Sequence, residues 1–124
     1  MKLIYKSYIE ENTEYTNWLE KLVNEDFETD APPIIKMRLR EARENFERLM
    51  EQCSELEIGP QDEDNLKDLK YLLIDSLFLA MDLQGFFEVG ELGRFKMRVL
   101  NYLNKKRRAE VFGELSQANC RVNQ

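Results

Sequence analysis

The residues from 35 to 56 repeat apolar side chains in steps of four and three, and this repeat constrains the fold more than any other feature of the chain. Its members are Ile35, Leu39, Ala42, Phe46, Leu49, Cys53 and Leu56. Because an α-helix turns once in 3.6 residues, these steps place every member on one narrow face of a helix. Such a seam has to pack against other helices, so it predicts a helical bundle or a coiled coil between two chains.

Three other segments also show helical spacing. Ser7 and Glu10 form a capping-box signal at the start of the first, Gly59 and Pro60 precede the third, and Gly113 is a stop signal after the fourth. The predicted helices lie at about 8–27, 33–57, 61–84 and 91–112. Since the connections are short, the sequence predicts an all-α, antiparallel four-helix bundle. The alternative left open is a dimer joined through the second helix.

The third and fourth predicted helices differ in character. The third is apolar nearly all round from Leu66 to Leu83, which predicts the most buried element, with Asp75 as the best candidate for a buried polar group. The predicted core face of the fourth consists of Leu92, Phe95, Val99, Leu100 and Leu103. Gly85, Gly90 and Gly93 are expected to break the helical pattern between the two.

Length and composition predict one globular domain. The chain has 124 residues, 43% of them hydrophobic, which is enough for a single core over 1–115 followed by a flexible polar tail over 116–124. Its longest apolar stretch covers 11 residues, 71–81, whereas a membrane span needs about 20. The two cysteines suggest no disulfide framework and no targeting segment is visible, so we expect a cytoplasmic monomer or homodimer that does not enter a membrane.

Positive charge is concentrated in the fourth predicted helix although the whole chain is acidic. The net charge is −6, yet residues 92–109 contain seven Lys and Arg and no Asp or Glu. On a helical wheel, five polar residues fall within about 80° of one another and opposite the core face. They are Arg94, Arg98, Asn101, Lys105 and Arg108, and we call them the basic stripe.

The basic stripe has two interpretations, and the sequence leaves both open. It could dock an acidic partner or phosphate groups. Alternatively, Asp68, Asp75 and Asp82 recur every seven residues on the third helix and could neutralise it within the chain. In a hairpin turning near residue 88, Asp82 would lie level with Arg94 and Asp68 with Arg108.

Two smaller features are further candidates for contact with a partner. Phe86 and Phe87 follow Gly85 in the predicted turn, where they could anchor a partner or close the end of the core. A second basic cluster at the start of the second helix is expected to pair with the acids of residues 24–30 or to bind anions. Its members are Lys36, Arg38, Arg40 and Arg43.

Few residues are suited to catalysis. The chain contains no histidine, which removes the commonest general base and the commonest metal ligand. Neither Cys53 nor Cys120 has a recognisable activating partner. We therefore predict no catalytic, cofactor-binding or metal-binding residue, and a non-enzymatic protein.

The predicted function is stoichiometric binding of a protein partner, as an adaptor, an inhibitor or an immunity-type antagonist. The predicted contact residues are the basic stripe together with Phe86 and Phe87. The alternative is a nucleic-acid-binding protein that uses the same stripe.

Overall fold

The described part of the chain, residues 1–122, folds into a bundle of four α-helices, which confirms the predicted all-α class. A computed structural model describes the backbone of residues 1–122 and the side chains of residues 1–110. The helices are α1 (Lys2–Asn24), α2 (Pro32–Ser54), α3 (Glu63–Glu88) and α4 (Leu92–Val122), and a one-turn 3-10 helix at Pro60–Asp62 precedes α3. Within the described residues there is no β-strand. None of the helices in this part of the chain is both long and apolar enough to cross a membrane.

The seam of α2 lies inside the bundle, as its spacing predicts. Its six members from Ile35 to Cys53 are all buried, with at most 8% of any of them exposed. The Phe46 ring lies 5.9 Å from the Tyr15 ring and 6.4 Å from the Tyr8 ring of α1, measured between centroids. Leu56 follows the end of α2 and is partly exposed. The seam is therefore filled by helices of the same chain.

The predicted bounds of α1 are wrong at both ends. The helix begins at Lys2 rather than near residue 8, and Ser7 and Glu10 lie inside it without acting as a cap. Met1 and Ile4 pack against the core, which extends the useful apolar face back to the start of the chain. At the other end, Asp26 and Phe27 adopt positive φ angles of 51° and 64°, so the helix stops at Asn24 rather than at about 27.

Glycine does not end the third and fourth helices where the sequence suggests. α3 continues through Gly85 to Glu88 instead of ending near 84, and α4 continues through Gly113 to Val122 instead of ending near 112. A glycine inside a helix lowers stability by only about 0.5–1 kcal/mol relative to alanine, and the packing of the neighbouring turns can offset that loss. The turn comes instead at Gly90, whose φ of 74° strongly favours glycine. The predicted flexible tail stays a prediction, because residues 123–124 and the side chains from 111 onward lie outside the described residues.

The expectation that α3 is the most buried helix is wrong. Its side chains at Leu69, Leu73, Leu79 and Leu83 are buried, but a second apolar face points to solvent. A helix in a bundle needs only the faces that meet its neighbours to be apolar, and here the outermost face is apolar as well. The predicted core face of α4 is also too wide, since Leu92 and Leu100 lie at its edges and are 39% and 46% exposed.

The connection between α1 and α2 is held by the single tryptophan. The indole Nε1 of Trp18 donates a hydrogen bond to Oδ2 of Asp30 at 3.0 Å. The indole ring stacks on the Tyr15 ring at 6.2 Å between centroids, and the Arg38 guanidinium lies 5.8 Å from the indole centroid. These contacts join the end of α1 to the start of α2.

Candidate functional site

The basic stripe of α4 meets the acidic repeat of α3 along one seam. Nε of Arg98 lies 3.0 Å from Oδ2 of Asp82, and Nζ of Lys105 lies 3.2 Å from Oδ2 of Asp75. All four side chains are substantially exposed, so each pair stabilises the fold by no more than about 1 kcal/mol. Asp75 is therefore a partly exposed ion-pair partner, and the prediction that it is a buried polar group is wrong.

The register of these pairs differs from the predicted one by one helical turn. Asp82 was expected beside Arg94 and meets Arg98 instead. The reason is the length of α3, which runs four residues past its predicted end and moves the turn to Gly90. Arg94 pairs instead with Glu91, which lies just before the start of α4, at 3.3 Å.

The remaining members of the basic stripe stay on the surface. Arg108 is exposed, and its Nε donates to the carbonyl oxygen of Asn104 at 3.4 Å. Asn101 is exposed as well. The stripe is thus partly neutralised in its middle by α3 and presents polar groups to solvent at Asn101 and Arg108.

An exposed row of large apolar side chains lies on the outermost face of α3, and we call it the apolar ridge. It consists of Tyr71, Ile74, Phe78 and Met81, which are 75%, 37%, 55% and 49% exposed. Their steps of three, four and three place them along one line of the helix. Contiguous exposed apolar surface is far more informative about binding than single exposed residues, so this ridge is a candidate contact surface.

The apolar ridge and the basic stripe are neighbours. Phe78 follows Asp75 by three residues and precedes Asp82 by four, so its ring lies beside both carboxylates on the helix surface. Those carboxylates are the ones that hold Lys105 and Arg98. The sequence shows the apolar residues of the ridge but gives no sign that they face outward, because α3 is apolar on its inner face too.

Phe86 and Phe87 lie apart from this surface, at the end of the core. Both are half-buried and packed against it. The Phe87 ring centroid lies 6.3 Å from that of Phe95 and 6.5 Å from that of Phe27.

The second basic cluster, at the start of α2, has partners other than the expected acids. Arg38 pairs with Glu11 at 3.5 Å, and Arg43 donates to Oε1 of Gln84 at 2.7 Å.

The sequence analysis missed a polar network buried between α1, α3 and α4. Asn12 is at its centre: its Nδ2 donates to Oγ of Ser76 at 3.0 Å and to the hydroxyl of Tyr102 at 2.9 Å. Ser76 also donates to the hydroxyl of Tyr8 at 3.4 Å. Asn12 and Ser76 are 3% and 0% exposed. An asparagine and a serine on core faces are the only sequence signals of this network, and neither falls in a recognisable motif.

Lys106 completes the polar network from the α4 side. Its Nζ donates to Oδ1 of Asn12 at 2.8 Å and to Oγ1 of Thr16 at 3.2 Å. Burial lowers the pKa of Lys106 below its ordinary value, and the carboxylate of Glu110 opposes that shift. Lys106 is not a member of the basic stripe, and it is half-buried.

An open cleft lies over the polar network. It has a volume of about 410 Å³ and lies between α1, α3 and α4. Its lining includes Tyr5, Ile9 and Leu72, and the network residues Tyr8, Tyr102 and Lys106. The cleft therefore combines aromatic and aliphatic surface with a cationic group.

The described side chains form neither a cluster of metal ligands nor an activated cysteine. Among residues 1–110 there is no group of three or more Asp, Glu or Cys side chains placed to hold a metal ion. Cys53 is buried in the seam of α2, and burial raises the pKa of its thiol. A raised pKa disfavours the thiolate, which is the reactive form of cysteine.

No protein-family model, curated protein or solved structure matches this chain.

Proposed function

We propose that this chain is a non-enzymatic helical protein that binds a protein partner stoichiometrically, with the apolar ridge and the neighbouring basic stripe as its docking surface. The observation that carries the proposal is the exposure of four large apolar side chains in line on α3. Burying apolar surface is favourable by about 25 cal/mol per Å², so covering this row with a partner would stabilise the complex. Tyr71 and Phe78 also belong to the aromatic class that contributes strongly to interfaces.

The chemistry of the surface indicates the kind of partner. A row at steps of three, four and three fits the apolar face of an amphipathic helix laid along α3. The cationic ends of Arg98, Lys105 and Arg108 lie to one side of that row, so acidic residues on the partner helix would be favoured there. The proposed partner is therefore an amphipathic helix with an acidic flank.

We also propose that the bundle is antiparallel and monomeric before it binds. In the ion pairs Asp82–Arg98 and Asp75–Lys105, residue numbers fall along α3 as they rise along α4, which supports an antiparallel arrangement. Dimerisation through α2 has less support, because the seam that would join two copies is already filled within the chain. A cytoplasmic location remains part of the proposal, and the buried free thiol of Cys53 is compatible with it.

Nucleic-acid binding through the basic stripe is the competing function. The acidic partners of Arg98 and Lys105 reduce the positive potential available to phosphates, and the net charge of −6 opposes long-range attraction. We therefore treat nucleic-acid binding as an outcome of the test below.

The test compares matched substitutions on and off the apolar ridge. Wild-type chain, Phe78→Ala, Met81→Ala and the control Met37→Ala are used to capture partners from the native host, and the recovered partner is then purified and titrated. Met37 lies on α2 and is 42% exposed, close to the 49% of Met81. We expect a 1:1 complex in which Phe78→Ala weakens binding by about 30-fold or more, as at a central interface residue, while Met37→Ala leaves it unchanged.

Two results would count against the proposal. If the ridge variants bind as tightly as wild type, the docking surface lies elsewhere. If Arg98→Glu with Lys105→Glu abolishes retention on nucleic acid at low salt while Phe78→Ala has no effect, the competing function is correct.

A further inference from the structure

The cleft between α1, α3 and α4 has the size and the lining of a small-molecule site. Its volume of about 410 Å³ falls in the range of about 300–1,000 Å³ typical of ligand pockets. Apolar surface from Tyr5, Ile9 and Leu72 lies beside the polar groups of Tyr102 and Lys106. A few convergent polar groups within apolar walls are what fix the orientation of a bound ligand.

Lys106 differs from the other lysines of α4 in having no carboxylate partner within hydrogen-bonding distance among the side chains of residues 1–110. Lys96 contacts Asp26 and Lys105 contacts Asp75, whereas Lys106 donates only to the neutral oxygens of Asn12 and Thr16. An ammonium group has three donors, so one remains for a ligand. A half-buried cation with neutral partners keeps an unneutralised charge at the cleft, and an anion placed there would gain from it.

The acids around the cleft restrict the charge of that anion. Asp75 lies in the lining and already pairs with Lys105 at 3.2 Å. Glu110 also lies in the lining, one turn beyond Lys106, and forms no ion pair with it within 4.0 Å in the described chain. Lys105 also lines the cleft and neutralises Asp75, which leaves Lys106 and Glu110 as the two charged groups of the lining without an ion pair among the described side chains. With one such cation beside one such carboxylate, a ligand group with a single negative charge fits better than a doubly charged phosphate.

We infer that this cleft binds a small apolar carboxylic acid, with its carboxylate on Nζ of Lys106 and its apolar body against Tyr5, Ile9 and Leu72. The Tyr102 hydroxyl, beside Asn12, is a further polar group in the lining for that carboxylate. The cleft contains no residue of the apolar ridge, although it shares Lys105 with the basic stripe, so the inference goes beyond the proposed function and does not depend on it.

The test uses benzoate as the probe and benzamide as its neutral control of the same shape. Both are titrated into the full chain while backbone amide NMR signals are followed. We expect saturable shifts at Asn12, Tyr102 and Lys106 with benzoate, and at least tenfold weaker binding of benzamide. Lys106→Met should abolish this preference, and Lys96→Met, on the same helix, should retain it.

Glu110→Gln tests the inference in the opposite direction. Removing the competing carboxylate should tighten benzoate binding several-fold without changing the binding of benzamide. If Lys106→Met fails to fold, the Glu110→Gln variant alone tests whether the ligand's negative charge is recognised in the cleft. Equal binding of benzoate and benzamide, no saturable shift with benzoate, or no gain from Glu110→Gln would overturn the inference. Phe78→Ala should leave benzoate binding unchanged, which separates this test from that of the apolar ridge.

Discussion

The two sides of the core are built differently. On the α2 side the seam from Ile35 to Cys53 packs apolar side chains against α1 and α3, with Phe46 at its centre. On the α4 side, the interior holds the polar network of Tyr8, Asn12, Thr16, Ser76, Tyr102 and Lys106. Both sides share α1 and α3, so the contrast lies in what each outer helix contributes.

The difference shows two ways of joining helices. Apolar packing gains about 1.5–3 kcal/mol for each large side chain buried, but apolar surfaces of similar size can substitute for one another. A hydrogen bond contributes only about 0.5–1.5 kcal/mol net, yet it requires particular atoms at a particular distance. The α4 side buries Phe95, Val99 and Leu103 as well, so what distinguishes it is the polar network, which specifies which residues of three helices must meet.

Phe46→Ala should have the largest effect, because it empties the centre of the apolar side. The ring is completely buried and contacts both Tyr8 and Tyr15. We expect the free energy of unfolding to fall by about 3–5 kcal/mol, measured by denaturant titration. A loss below about 1 kcal/mol would mean that the α2 side is not the close-packed half.

Asn12→Ala should have the next largest effect, because it breaks the polar network without opening a large cavity. It leaves Ser76, Tyr102 and Lys106 each without one partner. We expect a loss of about 1–3 kcal/mol in the free energy of unfolding. Asn17→Ala on the exposed side of the same helix is the control and should change stability by less than about 0.5 kcal/mol. Equal effects of the two would show that the polar network is not satisfied as described.

Tyr15→Phe should give the smallest change and in the opposite direction. The Tyr15 hydroxyl is buried on the apolar side and has no hydrogen-bond partner among the described residues. Removing an unsatisfied buried hydroxyl should raise the free energy of unfolding by about 1 kcal/mol. Tyr8→Phe is the contrasting variant, because the Tyr8 hydroxyl accepts a hydrogen bond from Ser76 and its loss should destabilise the protein.

The buried hydroxyl of Tyr15 should also make the free energy of unfolding depend on pH in the alkaline range. Burial raises the pKa of Tyr15 well above the ordinary value of about 10. Above pH 10 the folded state therefore keeps a proton on Tyr15 that the unfolded state releases. The contribution of Tyr15 protonation to the free energy of unfolding is complete below pH 10 and is lost as the pH rises above that value. We expect Tyr15→Phe to flatten the fall in stability above pH 10, measured by denaturant titration at several pH values.

The sequence predicts the four helices and the burial of the α2 seam because both follow from local spacing. The seam shows a strict repeat, and each of its members from Ile35 to Cys53 is buried as expected. Helix ends are harder to predict, since Gly85 and Gly90 look alike in sequence but only Gly90 adopts a positive φ. That difference depends on where the chain must turn to pack.

The candidate surfaces depended on tertiary information. The apolar ridge and the buried face of α3 use the same residue types, so composition could not tell which faces outward. Asn12 and Ser76 are 64 positions apart and meet only because their helices pack together. By contrast, the pairing of the acidic repeat of α3 with the basic stripe was among the predicted alternatives, since charge and period are both visible in sequence.

Trp18 gives the chain a built-in optical probe of one side of the core. It is the only tryptophan, and it stacks on Tyr15, which contacts Phe46. Its fluorescence should therefore follow the α2 side, whereas circular dichroism near 222 nm averages over all four helices. Superimposable unfolding curves from the two signals would mean that the polar and apolar sides melt as one cooperative unit, and an earlier change in circular dichroism would mean that α4 detaches first.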